Sequence, residues 1–384
     1  MDFEFATSNR IVFGPGAALE LGAMVPPFGN RALVVTGANA GRHGPVIARL
    51  GERDYPYITF AVDGEPTTET VRDGVARARE AGCKVVVGIG GGSVLDAGKA
   101  IAALLANPGD VTDYLEVVGR GMPLAVPSAP YVAVPTTAGT GAEVTKNAVL
   151  RSPEHGIKVS MRSPAMLPSL AVVDPLLTVS MPPQLTVATG MDALTQLVEA
   201  YVSSQSNPMC DGLCREGIRR AACSLRLACE DGDDLSARED MSLASLFGGI
   251  VLANTKLGAV HGLSAPLGGR WNVPHGAACA RLLPFVMEAN IENLMRQAPG
   301  STALERYAEV ASMLTGRSGV VPADGVVWAR DLVESERVRP LSHYGIGMDD
   351  FPEIIEKANQ SSSMAGNPVP LPDEALAEVL EKAL

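Results

Sequence analysis

The chain has 384 residues, of which 46% are hydrophobic, 4% aromatic and 19% charged. This composition supplies a sizeable core and excludes a disordered chain, and the length predicts two domains at about 150 residues per domain. The formal charge of −12 excludes a general electrostatic attraction to nucleic acid or to an anionic membrane surface. The N-terminus lacks signal-peptide features, no apolar run reaches ~18 residues, and six cysteines form no disulfide framework, so a cytoplasmic protein is expected.

The first half of the sequence alternates strand-like and helix-like stretches. Apolar runs predict strands at 32–36, 84–89, 131–134 and 170–174, and capping and periodicity predict helices at 67–81 and 93–105. Strands separated by helices pair in parallel. Residues 1–180 are therefore predicted to form an α/β domain with a doubly wound, mostly parallel sheet.

The pattern changes near residue 180, beyond which helical periodicity replaces the strand runs. Helices are predicted at 185–202, 212–227 and 237–253, and a loop at 361–368 precedes a last short helix. Residues 181–384 are therefore predicted to form an all-α domain.

A glycine-rich turn follows the second of these predicted strands. Gly90, Gly91 and Gly92 let a backbone approach a pyrophosphate, and the start of the next helix favours negative charge. Ser93 and Asp96 have the spacing of a capping box. The stretch is not a Walker A loop, because Ser93 and Ala100 stand at the first and last positions of that motif. It is not a full Rossmann fingerprint either, because Ser93 stands at the third glycine position. A tight turn without a ligand is the alternative.

A second stretch of small residues, 135–145, follows the next predicted strand. Ligands of open α/β sheets bind in the crevice at the carboxyl ends of strands. The two loops are therefore predicted to converge on one nucleotide, and two unrelated turns are the alternative.

Polar residues in the predicted helical domain suggest a metal site. Asp192 and Gln196 are four residues apart and share a helix face, and Glu199 lies one turn further. His261 and His275 lie in a segment rich in glycine and proline. Imidazoles and a carboxylate suit a borderline divalent metal, whereas hydrogen-bonded core histidines are the alternative.

The cysteines are interpreted as packing residues. No Cys-x-x-Cys pair occurs in the sequence, so a structural zinc site is not expected. Cys279, four residues after His275, is included in this interpretation.

Four motifs together resemble the iron-containing (group III) alcohol dehydrogenases over nearly the whole chain. They span residues 90–93, 135–147, 189–195 and 261–284. The resemblance implies that residues 1–180 form a dinucleotide-binding domain and that residues 181–384 form the helical metal and substrate domain. It also implies hydride transfer between NAD(P)H and a small aldehyde or ketone. It further implies that the protein is a homodimer and that its substrate is a small carbonyl compound or alcohol.

The resemblance also implies which residues contact the cofactor. Members that prefer NAD carry an Asp where this chain has Gly37, and loss of that carboxylate removes repulsion against a 2′-phosphate, so either NAD or NADP is expected. Gly37, Gly91 of the glycine-rich turn and Asp96 of the following helix are predicted to bind the cofactor. The family's other contacts fall here on Gly92, Ser93, Thr136, Thr137, Thr140, Asn147, Lys158 and Thr178.

The family's metal is held by one Asp and three His, and this chain departs from that set. Asp192, His261 and His275 occupy three of the positions, but the fourth is Gln196. A further family histidine, often given a proton-relay role, is replaced by Ala265.

Two interpretations follow from these departures. In one, Asp192, Gln196, His261 and His275 form the metal site and hold Fe²⁺ or Zn²⁺, with Gln196 or water completing the ligand set. In the other, the protein resembles maleylacetate reductases and works without metal, and His261 and His275 stabilise the developing alkoxide and supply a proton. Both histidines are predicted catalytic residues in either case.

The leading hypothesis is an NAD(P)-dependent alcohol dehydrogenase acting as a carbonyl reductase. The alternatives are a metal-independent oxo-acid reductase and a nucleotide-binding pseudoenzyme. A lyase similar to dehydroquinate synthase is disfavoured, because the basic set for an anionic substrate is not found around 261–275.

Overall fold

The computed structural model describes residues 2–384, which fall into two compact units. One unit comprises Ala6–Thr137 and Gly141–Ser180, and we call it the α/β unit. The other comprises Ala138–Thr140 and Met181–Leu384 with the N-terminal residues up to Phe5, and we call it the helical unit.

Eight strands lie in the α/β unit. They are β1 (Ile11–Phe13), β2 (Ala32–Gly37), β3 (Tyr57–Val62), β4 (Val85–Gly90), β5 (Tyr131–Pro135), β6 (Asn147–Ser152), β7 (Ile157–Arg162) and β8 (Leu170–Val173). Its α-helices are α1 (Leu21–Met24), α2 (Gly44–Gly51), α3 (Thr68–Glu80), α4 (Gly92–Ala106) and α5 (Val111–Tyr114). Six strands pair in parallel in the order β1-β8-β5-β4-β2-β3, and β6 and β7 form a separate antiparallel pair.

Both faces of the parallel sheet are buried. Side chains alternate along a strand, so Leu33 and Val35 of β2 lie in one hydrophobic cluster and Ala32 and Val34 lie in another. A strand buried on both faces appears in the sequence as a continuous apolar run, which is why β2 was predictable. The predicted doubly wound, mostly parallel sheet is confirmed.

The start of α4 differs from the prediction. The helix begins at Gly92, its N-cap is Gly91, and no side chain caps it, so the predicted capping box of Ser93 and Asp96 is wrong. Asp96 instead accepts a hydrogen bond from the N–H of Val149 in β6 at 3.0 Å and lies 3.6 Å from Lys99 Nζ. The hydrogen bond to β6 thus takes the place of the local capping interaction.

The helical unit contains nine further α-helices within the described residues. They are α6 (Pro183–Val202), α7 (Pro208–Glu230), α8 (Leu235–Asn254), α9 (Ala259–Arg270), α10 (His275–Gln297), α11 (Thr302–Thr315), α12 (Pro322–Ser335), α13 (Phe351–Asn359) and α14 (Asp373–Ala383). One hydrophobic cluster runs through the unit. The prediction that this part of the chain is all helical is confirmed.

Helix α6 is the central helix of the helical unit. It packs against α7, α8 and α10, and every residue from Gly190 to Val202 is buried. Polar groups on a helix buried on all sides need partners, because an unpaired buried polar group is costly. The polar residues of α6 therefore point to the functional site.

In residues 2–384, no single helix combines the length and apolarity needed to cross a bilayer. One bent pair, α8 with α9, meets that test only when its two helices are taken together, and they meet at a 96° bend.

Candidate functional site

Three buried polar side chains project from the central helix α6. Asp192, Gln196 and Glu199 are each no more than 5% exposed. Their spacing of four and three residues places them on one side of the helix over two turns.

Glu199 fixes the position of His261. One carboxylate oxygen of Glu199 accepts the N–H of Val260 at 2.7 Å, and the other accepts the N–H of His261 at 3.4 Å. The second oxygen also lies 2.6 Å from Nδ1 of the His261 ring. Glu199 therefore caps the N-terminus of α9 and accepts a hydrogen bond from Nδ1–H of the ring, which directs Nε2 towards Asp192.

Gly258 lets this carboxylate approach the start of α9. A Cβ at Gly258 would lie 2.7 Å from Oε1 of Glu199 and 2.9 Å from Oδ1 of Asn367. Asn367 Oδ1 accepts the N–H of Ala259 at 3.1 Å. A side chain at position 258 would displace two groups that satisfy the first N–H groups of α9.

Four potential ligand side chains converge in the helical unit. Oδ1 of Asp192 lies 3.5 Å from Nε2 of His261 and 3.5 Å from Nε2 of His275. The sulfur of Cys279 lies 3.7 Å from Nε2 of His275. One ligand atom from each of the four residues lies within 4.8 Å of the others. We call Asp192, His261, His275 and Cys279 the four-residue cluster.

Two of the facing ligand atoms have no hydrogen-bond partner within the described residues. They are Oδ1 of Asp192 and Nε2 of His261, and both are buried. A third unpaired buried atom, Oε1 of Gln196, lies against Gly248 of α8. Unsatisfied buried polar atoms are rare and cost about 1–3 kcal/mol each. A divalent cation between the carboxylate and the imidazoles would satisfy the first two, so the donor set fits a metal.

The charges within the cluster support each other. Burial disfavours the imidazolium of His261, but Asp192 and Glu199 outweigh burial and raise the pKa of His261 to about 9. Burial also disfavours ionised Asp192, but His275 and His261 outweigh it and hold the pKa of Asp192 well below its ordinary value. Cys279 and Asp192 hold the pKa of His275 above its ordinary value. The protein groups therefore keep Asp192 as a carboxylate ready to bind a positive charge.

The predicted phosphate loops lie at the carboxyl ends of neighbouring strands. β2, β4 and β5 are adjacent in the sheet and end at Gly37, Gly90 and Pro135. The N–H of Thr136 donates to the carbonyl of Gly90 at 3.0 Å. A Cβ at Gly91 would lie 3.2 Å from Cγ2 of Thr137, so the two loops meet. Gly92 and Ser93 form the first turn of α4, where N–H groups lack a side-chain cap.

The remaining predicted cofactor residues make contacts of their own. Thr178 donates to the carbonyl of Pro175 at 2.7 Å, and the carbonyl of Asn147 accepts from Lys99 at 2.6 Å. Lys158 lies in β7 and pairs with Glu65 at 2.5 Å. Thr140 belongs to the helical unit. The assignment of these residues to the cofactor stays a prediction.

Sequence reasoning missed two members of the site. Cys279 was interpreted as packing, and Glu199 was noted only as a carboxylate one turn further along the helix. A signal for Cys279 was present, because a four-residue spacing after His275 places both side chains on one helix face.

Comparison with known proteins identifies the family. A sequence profile described as iron-containing alcohol dehydrogenase matches residues 8–175, and the C-terminal profile of the Fe-containing alcohol dehydrogenase family matches residues 186–384. The chain belongs to the iron-containing alcohol dehydrogenase family. It is therefore an NAD(P)-linked alcohol oxidoreductase.

The sequences of two relatives match nearly the whole chain. The 1,3-propanediol dehydrogenase of Klebsiella pneumoniae is 35% identical over 99% of this chain and 98% of its own length. Alcohol dehydrogenase 4 of Saccharomyces cerevisiae is 36% identical over 97% of this chain and 96% of its own length.

Solved structures of related oxidoreductases share the fold. A 1,3-propanediol oxidoreductase superposes with a TM-score of 0.92 at 34% identity and covers 100% of both chains. A sulfoacetaldehyde reductase from Bifidobacterium kashiwanohense in complex with NAD⁺ superposes with a TM-score of 0.88 at 27% identity, and covers 100% of this chain and 99% of its own.

Proposed function

We propose that this family member is a metal-dependent alcohol dehydrogenase whose helical unit binds a divalent cation. Asp192, His261 and His275 would hold the cation. The observation that carries the proposal is the pair of buried ligand atoms, Asp192 Oδ1 and His261 Nε2, which face each other at 3.5 Å without a hydrogen-bond partner in the described residues.

Each residue of the site has a separate task in this proposal. A bound cation would supply a Lewis acid for the substrate oxygen, and a bound nicotinamide would supply the hydride chemistry. Glu199 holds His261 so that Nε2 points at Asp192. The side chain of His275 is 46% exposed, so the cluster is accessible to a small molecule on that side.

The α/β unit supplies the dinucleotide site in the same proposal. The loops that meet at Gly91 and Thr137, with the uncapped start of α4, suit a pyrophosphate. β2 ends at Gly37, so no carboxylate stands there to repel a 2′-phosphate. This supports use of NADPH as well as NADH.

The substrate is a small alcohol and its carbonyl counterpart. The names of the relatives support this class, since they include dehydrogenases of 1,3-propanediol and choline. We propose a homodimer located in the cytoplasm, as the sequence predicts.

The test is metal content together with activity. The protein is purified without chelator from medium supplemented with iron and zinc, and its metal is measured by mass spectrometry. We expect about one equivalent per chain, lost in Asp192→Ala together with alcohol oxidation. Oxidation of NADPH by a carbonyl in protein that contains no metal would contradict the proposal and assign the chemistry to His261 and His275 alone.

A further inference from the structure

The first two turns of α10 carry two side chains of a type that binds metals, and both belong to the four-residue cluster. His275 begins the helix, and Cys279 follows one turn later with its side chain fully buried. A buried cysteine alone is usually a packing residue. Here the thiol belongs to the four-residue cluster, in which Asp192 and His261 have unpaired ligand atoms.

Three of the six distances between the ligand atoms of the cluster are close to those of a tetrahedral site. Bonds of about 2.0–2.1 Å to nitrogen or oxygen place two ligand atoms about 3.3 Å apart, and a Zn–S bond of about 2.3 Å places sulfur about 3.6 Å from a nitrogen ligand. The carboxylate oxygen of Asp192 lies 3.5 Å from each imidazole Nε2. The sulfur of Cys279 lies 3.7 Å from Nε2 of His275. These three distances are close to the spacing that a metal requires, and the other three are within 4.8 Å.

The amide of Gln196 is a weaker candidate for the fourth position. Its oxygen lies 2.8 Å from the place where a Cβ of Gly248 would stand, on the side of α6 that faces α8. A neutral amide oxygen is also a poor ligand for iron or zinc compared with a thiolate.

We propose that Cys279 is the fourth metal ligand, in place of the absent third histidine, and that the resulting Asp/His/His/Cys site selects a thiophilic cation, Zn²⁺, over Fe²⁺. This inference rests on the proposed metal-dependent function. Binding removes the thiol proton to solvent and forms a metal–sulfur bond, with no change in oxidation state. Soft thiolate ligands favour zinc, so the family's usual metal is replaced in this chain.

The test uses Co²⁺ as a spectroscopic probe of the purified full-length protein. A thiolate ligand gives Co²⁺ a sulfur-to-metal charge-transfer absorption in the near ultraviolet, whereas oxygen and nitrogen ligands do not. We expect this band in the wild-type protein and its loss in Cys279→Ser. Cys214→Ser removes another fully buried thiol of the helical unit and is the matched control that keeps the band.

Affinity measurements give a second readout. Competition with a chelator should show Zn²⁺ affinity falling by about 10-fold or more in Cys279→Ser, with a smaller loss for Fe²⁺. Gln196→Ala should retain both the absorption band and the Zn²⁺ affinity. Circular dichroism confirms that each variant is folded.

The outcomes separate this inference from the function on which it rests. Wild-type protein that binds Co²⁺ without the near-ultraviolet band, or Cys279→Ser protein that retains it, overturns the cysteine ligand and leaves the metal-dependent function standing. Loss of Co²⁺ binding in Gln196→Ala but not in Cys279→Ser also overturns it. Wild-type protein that binds neither Co²⁺ nor Zn²⁺ overturns both.

Discussion

Glu199 is the residue on which the orientation of the cluster depends. Its carboxylate accepts the N–H of Val260 at 2.7 Å and faces Nδ1 of His261 at 2.6 Å. One side chain thus caps a helix and orients the ring of a potential ligand on that helix. A carboxylate in this role orients a metal-binding imidazole and raises its basicity.

Replacing Glu199 by Gln should weaken metal binding without unfolding the protein. The amide keeps the shape of the carboxylate but loses its charge. It has only one oxygen, so it cannot accept from the N–H of Val260 and from Nδ1–H of His261 in the way that the two carboxylate oxygens do. We expect Zn²⁺ affinity to fall by about 10–100-fold, measured by competition with a chelator. Glu288→Gln, at an ion pair further along α10, is the control. Equal affinity in the Glu199 variant would show that the carboxylate does not position the ligand.

Glu143 of the α/β unit couples stability to pH. Burial raises the pKa of Glu143 to about 7, although a backbone hydrogen bond and Lys99 act in the opposite direction. The folded state therefore holds this proton more tightly than the unfolded state. Its ionisation costs stability progressively as pH rises from about 4.5 to about 7, by up to about 3 kcal/mol.

Glu143→Gln should remove this pH dependence. We expect the denaturation midpoint of the variant to exceed that of the wild type increasingly from pH 5 to pH 8, as measured at about half-unit intervals. Glu80→Gln, at an exposed position in α3, should give the wild-type profile. Parallel profiles for wild type and Glu143→Gln would mean that the buried carboxyl does not titrate in this range.

Single residues show where sequence reasoning reached its limit. Asp192, His261 and His275 were found because they lie in motifs with fixed spacing. Cys279 was not, because its thiol becomes a ligand candidate only when α10 begins at His275 and packs against α6. The misassigned role of Asp96 has the same cause, since its partner Val149 lies 53 residues away.

At the scale of elements, the start of α9 is shaped by a glycine. Gly258→Ala should displace Glu199 or Asn367, because the new Cβ would approach their oxygens within 2.9 Å. We expect a lower thermal midpoint and weaker Zn²⁺ binding. Gly269→Ala, in the same helix with open space at Cβ, should instead stabilise by about 0.5–1 kcal/mol. Similar effects of the two substitutions on metal affinity would contradict the steric argument.

Strands were predictable where burial leaves a continuous apolar run. β2, β4, β5 and β8 are buried along nearly their whole length and were found. The pair β6 and β7 was missed because buried and exposed residues alternate along it, which gives no apolar run in the sequence. β1 has only three residues and depends on its pairing with β8.

At the scale of the whole molecule, the two proposed sites lie in different units. The four-residue cluster belongs to the helical unit, whereas the loops around Gly91 and Thr137 belong to the α/β unit. Substitutions in one set should therefore change one property and leave the other intact. Asp192→Ala should abolish metal binding while NADPH still binds, which can be followed by nucleotide fluorescence.

The reciprocal change is Gly37→Asp at the end of β2. The nearest atom to a Cβ there is Cγ2 of Val94 at 3.9 Å, so a side chain fits without strain. A carboxylate at this position should repel a 2′-phosphate and accept from a ribose hydroxyl. We expect the ratio of kcat/KM with NADH to that with NADPH to rise by about 10-fold or more, which is about 1.4 kcal/mol of discrimination.

Gly37→Ala adds bulk without charge and should leave the ratio unchanged, and metal content should stay at the wild-type level in both variants. An equal ratio in the aspartate variant would place the adenosine ribose away from the end of β2.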